Sequence, residues 1–287
     1  MPAYRGSLRS CLATRAACHP PWPPSGQPLK TIVTRHYGAT QIAIVVAGID
    51  VYELLRYTIT PNWSVADRHA RDILSLERLV HLGWEERLQQ TFLRAPDLVR
   101  AMNVFYFVGH FAVTAVFFLW LYHAHRDGFC RFRNGFLTAT FLALVVHWQF
   151  PTAPPRLAGV GLEDTLRQLS NIDIGSPKSA AFSDPVAAVP SLHAGWAVGV
   201  GAGLVLFARP LLWKAIGVLY PVAVVLTVVV TGNHFVFDAV AGVVVMVLGF
   251  WLSEALSRHP EGRFRAGAVL QSELRRGVEQ SGSSPGS

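Results

Sequence analysis

Residues 215–253 read AIGVLYPVAVVLTVVVTGNHFVFDAVAGVVVMVLGFWLS, and the uncharged stretches 215–230 and 239–253 enclose a short polar segment. Each stretch, with its flanking residues, is long enough to cross the roughly 30 Å hydrocarbon layer of a bilayer as a helix. His234 and Asp238 lie between them, four residues apart, so they share one face if they are helical. Because a carboxylate inside a membrane helix is unfavourable without a partner, the spacing indicates that His234 and Asp238 interact.

The composition of the whole chain supports a membrane protein. Its 287 residues are 51% hydrophobic and 15% charged, and the mean hydropathy is +0.34, which is too apolar for an ordinary soluble domain. We therefore predict an all-α fold, a polytopic bundle of six transmembrane helices. The predicted spans lie near 38–58, 101–123, 135–150, 192–208, 212–232 and 235–253.

The net charge of +7 does not indicate nucleic-acid binding, because the basic residues are dispersed among apolar spans instead of forming one patch. The three cysteines, Cys11, Cys18 and Cys130, show no CxxC spacing and no histidines arranged as zinc ligands. Neither a disulfide framework nor a metal site is predicted. The sequence does not decide the oligomeric state.

Lysine and arginine predict the orientation, because they concentrate on the cytoplasmic side of short loops. They follow the second, fourth and sixth predicted spans and precede the first. The termini are therefore expected in the cytoplasm, with 59–100, 151–191 and 231–234 outside, and the plasma membrane is the expected location. Residues 1–36 form a predicted disordered basic arm, 37–256 the membrane domain, and 257–287 a disordered tail. Within the domain, 59–100 is expected to form amphipathic helices at the outer face, either as a solvated cap or as a guide for lipid headgroups.

The polar residues of the second half cluster at three span ends that this topology places on one membrane face. The clusters are 151–156 (PTAPPR), 190–196 (PSLHAGW) and 231–238 (TGNHFVFD). Phosphoryl transfer needs a nucleophile, an acid for the leaving oxygen, and donors around the phosphate oxygens, and these clusters offer a candidate for each. We assign attack on phosphorus to His234, its orientation to Asp238, and leaving-group protonation to His193.

The donors for phosphate are expected to come from all three clusters. Arg156 offers a planar guanidinium, Ser191 a hydroxyl at the start of a helix, and Asn233 an amide. Asn103, Tyr106 and His110 recur at helical spacing on the second span. They either support the catalytic residues or bind a headgroup, or else they form a buried hydrogen-bond network.

Together the three clusters resemble the motifs of the type-2 phosphatidic acid phosphatase superfamily, whose fold is shared with vanadium haloperoxidases, and specifically its inositolphosphotransferase-like branch. The resemblance covers roughly 38–255. It implies a six-helix bundle, a covalent phosphohistidine at His234, and no required metal or other cofactor. Two cationic positions of the family pattern differ, because Gln149 replaces a lysine and Val228 replaces an arginine. A less charged phosphate, such as a diester, would suit that difference.

The expected function is therefore an integral-membrane lipid phosphatase or phosphotransferase with its active site outside. Its partners would be a lipid phosphate substrate, an acceptor alcohol or water, and the membrane lipids around it. The alternative is a transporter or scaffold in which the polar cluster is structural. Transport usually places polar groups near the bilayer midplane and often shows internal repeats, whereas here the polar groups gather at one face.

Overall fold

The structure, a computed structural model, describes residues 37–58, 62–174 and 186–258. Within these ranges the chain is helical, and strand-like pairing is confined to one bridge between Thr152 and Ala187. The helices are α1 (Tyr37–Tyr57), α2 (Trp63–Leu79), α3 (Glu85–Phe92), α4 (Pro96–Ala124), α5 (Arg126–Gln149), α6 (Thr165–Ser170), α7 (Leu192–Phe207), α8 (Leu211–Val230) and α9 (Val236–Arg258). The predicted arm 1–36 and all but the first two residues of the predicted tail lie outside the described residues.

Five helices of the described chain are long and apolar enough to cross a membrane, namely α1, α4, α5, α8 and α9. The prediction of a polytopic, all-helical membrane protein is thus confirmed, but the count of six spans is not. The difference is α7, whose 16 residues fall just short of the roughly 17 to 25 that a span ordinarily needs. Helix α5 begins at Arg126, nine residues before the predicted span, because backbone hydrogen bonding continues beyond the apolar stretch.

The bundle is built on α9, which packs along α5 and α7, while α7 also packs along α8. Aromatic side chains fill the space between α4, α5, α7 and α9. Phe117, Phe132, Phe136, Val200 and Met246 are all buried there in one cluster. This packing fixes the relative positions of the helix ends from which the three polar clusters emerge.

The starts of α7 and α9 approach each other unusually closely. A Cβ on Gly242 would clash with the carbonyl oxygen of Ser191, and a Cβ on Gly195 would lie 2.7 Å from the carbonyl oxygen of Gly242. The Ser191 N–H also donates a hydrogen bond to the Asp238 carbonyl at 2.9 Å. Glycine at these positions therefore allows the two polar helix starts to lie side by side.

Helix α2 covers this end of the bundle. It begins after Asn62, whose side chain accepts a hydrogen bond from the Val65 N–H, as expected of an N-cap. Its buried residues recur every three to four positions, and they pack with Phe235 at the start of α9. The buried apolar residues of this face are Ala66, Ala70, Ile73 and Leu74. An amphipathic helix therefore lies over the loops that carry the polar clusters.

Candidate active site

His234 lies two residues before α9, and its ring is oriented through Nδ1. This nitrogen is 2.9 Å from the carbonyl oxygen of Ala188 and 3.4 Å from Asp238 Oδ2. A carbonyl oxygen can only accept a hydrogen bond, so Nδ1 carries the hydrogen and Nε2 keeps its lone pair. The predicted partner Asp238 is thus present, but the shorter contact is to a backbone carbonyl.

The Asp238 carboxylate has a second role in the same turn. Its Oδ2 accepts a hydrogen bond from the Phe235 N–H at 2.9 Å, and the side chain is fully buried. A carboxylate in the first turn of a helix stabilises the N–H groups that have no partner within the helix. Asp238 therefore fixes the start of α9 as well as the ring of His234.

A tight turn carries the chain from α8 into His234. Gly232 has φ +70°, in the left-handed region that favours glycine. The N–H groups of Asn233 and His234 both donate to the Val228 carbonyl, at 2.9 and 3.1 Å, and the Gly232 carbonyl accepts from the Arg156 N–H at 2.9 Å. The backbone of the first polar cluster is thereby joined to the third.

The guanidinium of Arg156 is held by three protein groups. Nε donates to Asn233 Oδ1 at 2.9 Å, Nη1 to Asp164 Oδ2 at 3.1 Å, and Nη2 to the carbonyl of Ile174 at 2.9 Å. Because arginine has five N–H groups, only two remain for a ligand. Arg156 is thus a fixed cation whose charge is partly compensated by Asp164.

Asn233 and Ser191 were predicted as phosphate donors, and both side chains also make structural contacts. Asn233 supports Arg156 through Oδ1, and its Nδ2 donates to Thr231 Oγ1 at 2.8 Å. The Ser191 Oγ accepts the Ala194 N–H at 3.3 Å and so caps α7. Its hydroxyl hydrogen remains available as a donor beside the backbone at the start of this helix.

His193, the second residue of α7, lies beside His234, with 5.9 Å between the ring centroids. Its surroundings are aromatic. The ring stacks on Tyr106 at 4.3 Å and lies 5.0 Å from the His110 ring and 5.4 Å from Phe111. Its buried Nε2 makes no hydrogen bond to the residues that the structure describes.

The three residues predicted on the second span separate into two groups. His110 Nδ1 pairs with the Tyr220 hydroxyl at 2.9 Å, and it lies with Tyr106 against His193. Asn103 instead binds α6, since its Nδ2 donates to the Thr165 carbonyl at 2.8 Å and to Ser170 Oγ at 2.9 Å. A π-helical turn at Phe105–Gly109 separates Asn103 from His110, and such turns are frequent at functional sites.

A family model described as the PAP2 superfamily matches residues 71–252, which include all three polar clusters. The chain belongs to the PAP2 superfamily. No individual curated protein and no solved structure shows significant similarity to it. The match begins inside α2, so α1 lies outside the part of this PAP2 protein that the family describes.

Gln149 and Val228 are the two positions at which the sequence differs from the motifs it resembles. Gln149 ends α5 and is exposed, and Val228 is a buried apolar residue at 1% exposure that packs against Ala197 and Val224. Neither side chain adds a positive charge to that of Arg156. No group of three or more histidine, cysteine, aspartate or glutamate side chains in the described ranges is arranged to hold a metal.

Sequence reasoning missed several groups that shape the site. The Ala188 carbonyl is a backbone group, so no side-chain motif could reveal it. Asp164 lies on a separate loop eight residues after Arg156, as the N-cap of α6. Tyr220 precedes Pro221 in the middle of an apolar span, where a lone tyrosine gives no functional signal.

Proposed function

We propose that this PAP2 protein is an integral-membrane enzyme that cleaves a phosphodiester in a lipid headgroup and passes the phosphoryl headgroup to an acceptor alcohol or to water. PAP2 membership supports phosphatase-type chemistry, and the five apolar helices support action within a membrane. The observation that supports a diester substrate over a monoester is the charge around Arg156. The preference agrees with the inositolphosphotransferase-like branch that the motifs resemble.

The charge argument compares two substrate classes. A phosphate monoester carries close to two negative charges at neutral pH, whereas a phosphodiester carries one. Arg156 is 3.1 Å from the Asp164 carboxylate, and Gln149 and Val228 stand where the family pattern has cations. A site with one partly compensated cation favours the less charged phosphate.

In the first chemical step, the Nε2 lone pair of His234 attacks phosphorus, and the bond from phosphorus to the leaving oxygen breaks. The proton of His193 passes to that oxygen, so the lipid fragment leaves as a neutral alcohol. The hydrogen bond from His234 Nδ1 to Ala188 and the nearby Asp238 stabilise the positive charge that forms on the imidazole.

In the second step, His193 takes the proton of the incoming hydroxyl, and the oxygen forms the new bond to phosphorus. The phosphorus–nitrogen bond breaks, and its electron pair returns to His234 Nε2. Arg156 and the Ser191 hydroxyl would stabilise the charge on the phosphate oxygens in both steps. Transfer and hydrolysis differ only in whether an alcohol or water enters.

We also propose that α7 crosses the membrane together with the five longer helices, so that both termini are cytoplasmic and the site opens to the outside of the plasma membrane. The positive residues that follow α4, α7 and α9 support this orientation. A protease-cleavable tag after Ser287 checks it in intact cells. Cleavage from outside would contradict the orientation, and protection until the cells are broken would support it.

The test of the proposed function uses purified protein in lipid nanodiscs, with labelled phosphatidylinositol as the diester and labelled phosphatidic acid as the monoester. We expect turnover of the diester to exceed that of the monoester, with His234→Ala inactive on both. The Asp164→Asn variant is the matched probe, because removing one negative charge should improve monoester turnover relative to diester. Faster turnover of the monoester by the wild-type protein would refute the diester preference. Addition of an acceptor lipid distinguishes the two reactions of the diester, because transfer labels the acceptor lipid whereas hydrolysis releases labelled inositol phosphate.

A further inference from the structure

Two acidic side chains close to the site have no role in the steps above. Glu77 lies in the last turn of α2, and Glu85 is the first residue of α3. Each is only 1% exposed. Carboxyl groups are almost never fully buried unless they are paired. Their burial therefore requires a physical explanation.

The contacts of Glu77 lead directly to the candidate active site. Its Oε1 accepts a hydrogen bond from the Phe237 N–H at 2.6 Å, and Phe237 lies in the first turn of α9, between His234 and Asp238. The carboxyl group of Glu77 also interacts directly with that of Glu85. Glu77 thus caps from α2 the same helix start that Asp238 caps from within.

The remaining oxygens of the pair lack donors. Glu77 Oε2 and both oxygens of Glu85 are buried and accept no hydrogen bond within the described part of the chain. Two ionised carboxylates in contact would repel each other, and buried Asp238 adds a third acidic group nearby. One proton placed between the two glutamates satisfies an oxygen on each and removes one of the charges.

The acidic groups that face Glu77 are Glu85 on α3 and Asp238 on α9. Burial raises the pKa of Glu77 from 4.5 to about 9, and contact with Glu85 is the next largest cause of the increase. The hydrogen bond from the Phe237 N–H acts in the opposite direction. The negative charge that stays on the pair faces the start of α9, where the helix dipole favours an anion.

We propose that Glu77 and Glu85 share one proton and that this protonated pair is a positioning group, which caps α9 and so holds His234 and Asp238 in place. The catalytic consequence rests on the proposed function. The shared proton does not, because it follows from the burial and contacts of the two side chains alone. The pair acts through the start of α9 and takes no part in the bonds that form and break.

Infrared spectroscopy of the full-length protein in nanodiscs tests the shared proton without any substrate. We expect the carbonyl stretch of a protonated carboxylic acid at about neutral pH, which is lost in Glu77→Gln and in Glu85→Gln. In either variant the new amide N–H donates to the remaining carboxylate, which then needs no proton. Glu86→Gln is the matched control, because Glu86 is the exposed neighbour of Glu85 on α3. A spectrum in which neither variant removes such a band would overturn the shared proton.

Thermal unfolding against pH gives a second measurement that does not require activity. A pKa raised in the folded state means that the folded protein binds a proton more tightly than the unfolded chain. The stabilisation that protonated Glu77 gives the folded protein is therefore fully present below about pH 4.5, and it declines as the pH rises toward about 9. The unfolding temperature of the wild type should fall over this window relative to Glu77→Gln, and parallel curves would contradict the proposal.

Turnover of phosphatidylinositol then tests positioning. Glu77→Gln keeps an acceptor for the Phe237 N–H and a donor for Glu85, so its kcat should stay within about threefold of the wild type at neutral pH. Glu77→Ala lacks both groups. Its kcat should fall on the order of 10²-fold with little change in KM, because small displacements of reacting groups cause losses of that size. A Glu77→Ala kcat equal to that of wild type would refute the positioning role. If the wild type turns over no lipid phosphate, the proposed function fails, while the infrared and unfolding results still decide the shared proton.

Discussion

The two histidines of the candidate site are held in different ways. His234 is fixed by directional polar contacts, a carbonyl at 2.9 Å and a carboxylate at 3.4 Å, both to Nδ1. His193 lies mainly among rings, stacked on Tyr106 at 4.3 Å and close to His110 and Phe111, and its polar contact is with the backbone of Tyr106. A nucleophile needs its lone pair to point in one direction, which a hydrogen bond to the opposite nitrogen ensures. An acid–base group must gain and lose a proton, and ring stacking fixes its plane without occupying Nε2.

This comparison also separates two parts of the bundle. The polar side, around α9, is tied by hydrogen bonds to the loops after α5 and before α7. The aromatic side is formed by α4 and α8 around the start of α7. If the two sides have the proposed roles, substitutions on them should affect different chemical steps.

The largest effect is expected for His234→Ala, which removes the proposed nucleophile. Turnover of phosphatidylinositol should fall on the order of 10⁵-fold, since loss of a nucleophile removes the covalent route entirely. Acid-labile, alkali-stable label on the protein, present in the wild type after rapid quenching, should be absent. His123→Ala is a suitable control, because His123 is an exposed histidine near the end of α4 and outside the three polar clusters. Equal labelling of wild type and His234→Ala would show that the nucleophile lies elsewhere.

The next largest effect is expected for His193→Ala, at about 10²- to 10⁴-fold in turnover. The defect should depend on the leaving group. With a 4-nitrophenyl phosphodiester, whose phenolate needs no protonation, the first step should survive as a burst of about one nitrophenolate per protein. Labelled His234 should then accumulate, because nothing deprotonates the acceptor. A loss of the burst as complete as that in His234→Ala would remove the division of roles between the two histidines.

Much of this site follows from sequence because its chemistry is local. The spacing of His234 and Asp238 predicts their contact, and the three polar clusters lie at span ends that any antiparallel helical bundle brings to one face. The superfamily and the membrane class were confirmed, whereas the inositolphosphotransferase-like branch, the substrate and the site roles remain predictions.

Other features depend on tertiary contacts that periodicity does not contain. Glu77 stands among charged residues along α2 and would be expected on its solvated face, yet contact with Phe237 and Glu85 buries it. The hydrogen bond between His234 and the Ala188 carbonyl depends on the path of the chain before α7, which the sequence pattern does not specify. The predicted third span, 135–150, is shorter than α5 because Arg126, Arg131 and Arg133 lower the hydropathy of residues that are nevertheless helical.

The contact that joins the two sides can be broken by a single methyl group. Gly242→Ala would press its Cβ on the Ser191 carbonyl, which must separate the starts of α7 and α9. We expect about 1 to 3 kcal/mol of destabilisation from overpacking, and a loss of turnover on the order of 10²-fold from displacement of His193 relative to His234. Ala241→Gly changes the adjacent residue without adding volume and should lose turnover far less. If Gly242→Ala kept wild-type kcat, close approach of the two helices would not matter for the chemistry.

The smallest expected effect concerns the ring beneath His193. Tyr106→Phe keeps the stacked face and loses only the hydroxyl, so its kcat should lie within about twofold of the wild type. Tyr106→Leu keeps an apolar side chain but loses the aromatic face, whose stacking contributes about 0.5 to 1.5 kcal/mol; kcat should then fall by up to about tenfold. Because only the acid–base group is loosened, the nitrophenolate burst should remain while steady-state turnover declines. Equal losses in both variants would instead assign the effect to the hydroxyl of Tyr106, and the stacked ring would not be what holds His193.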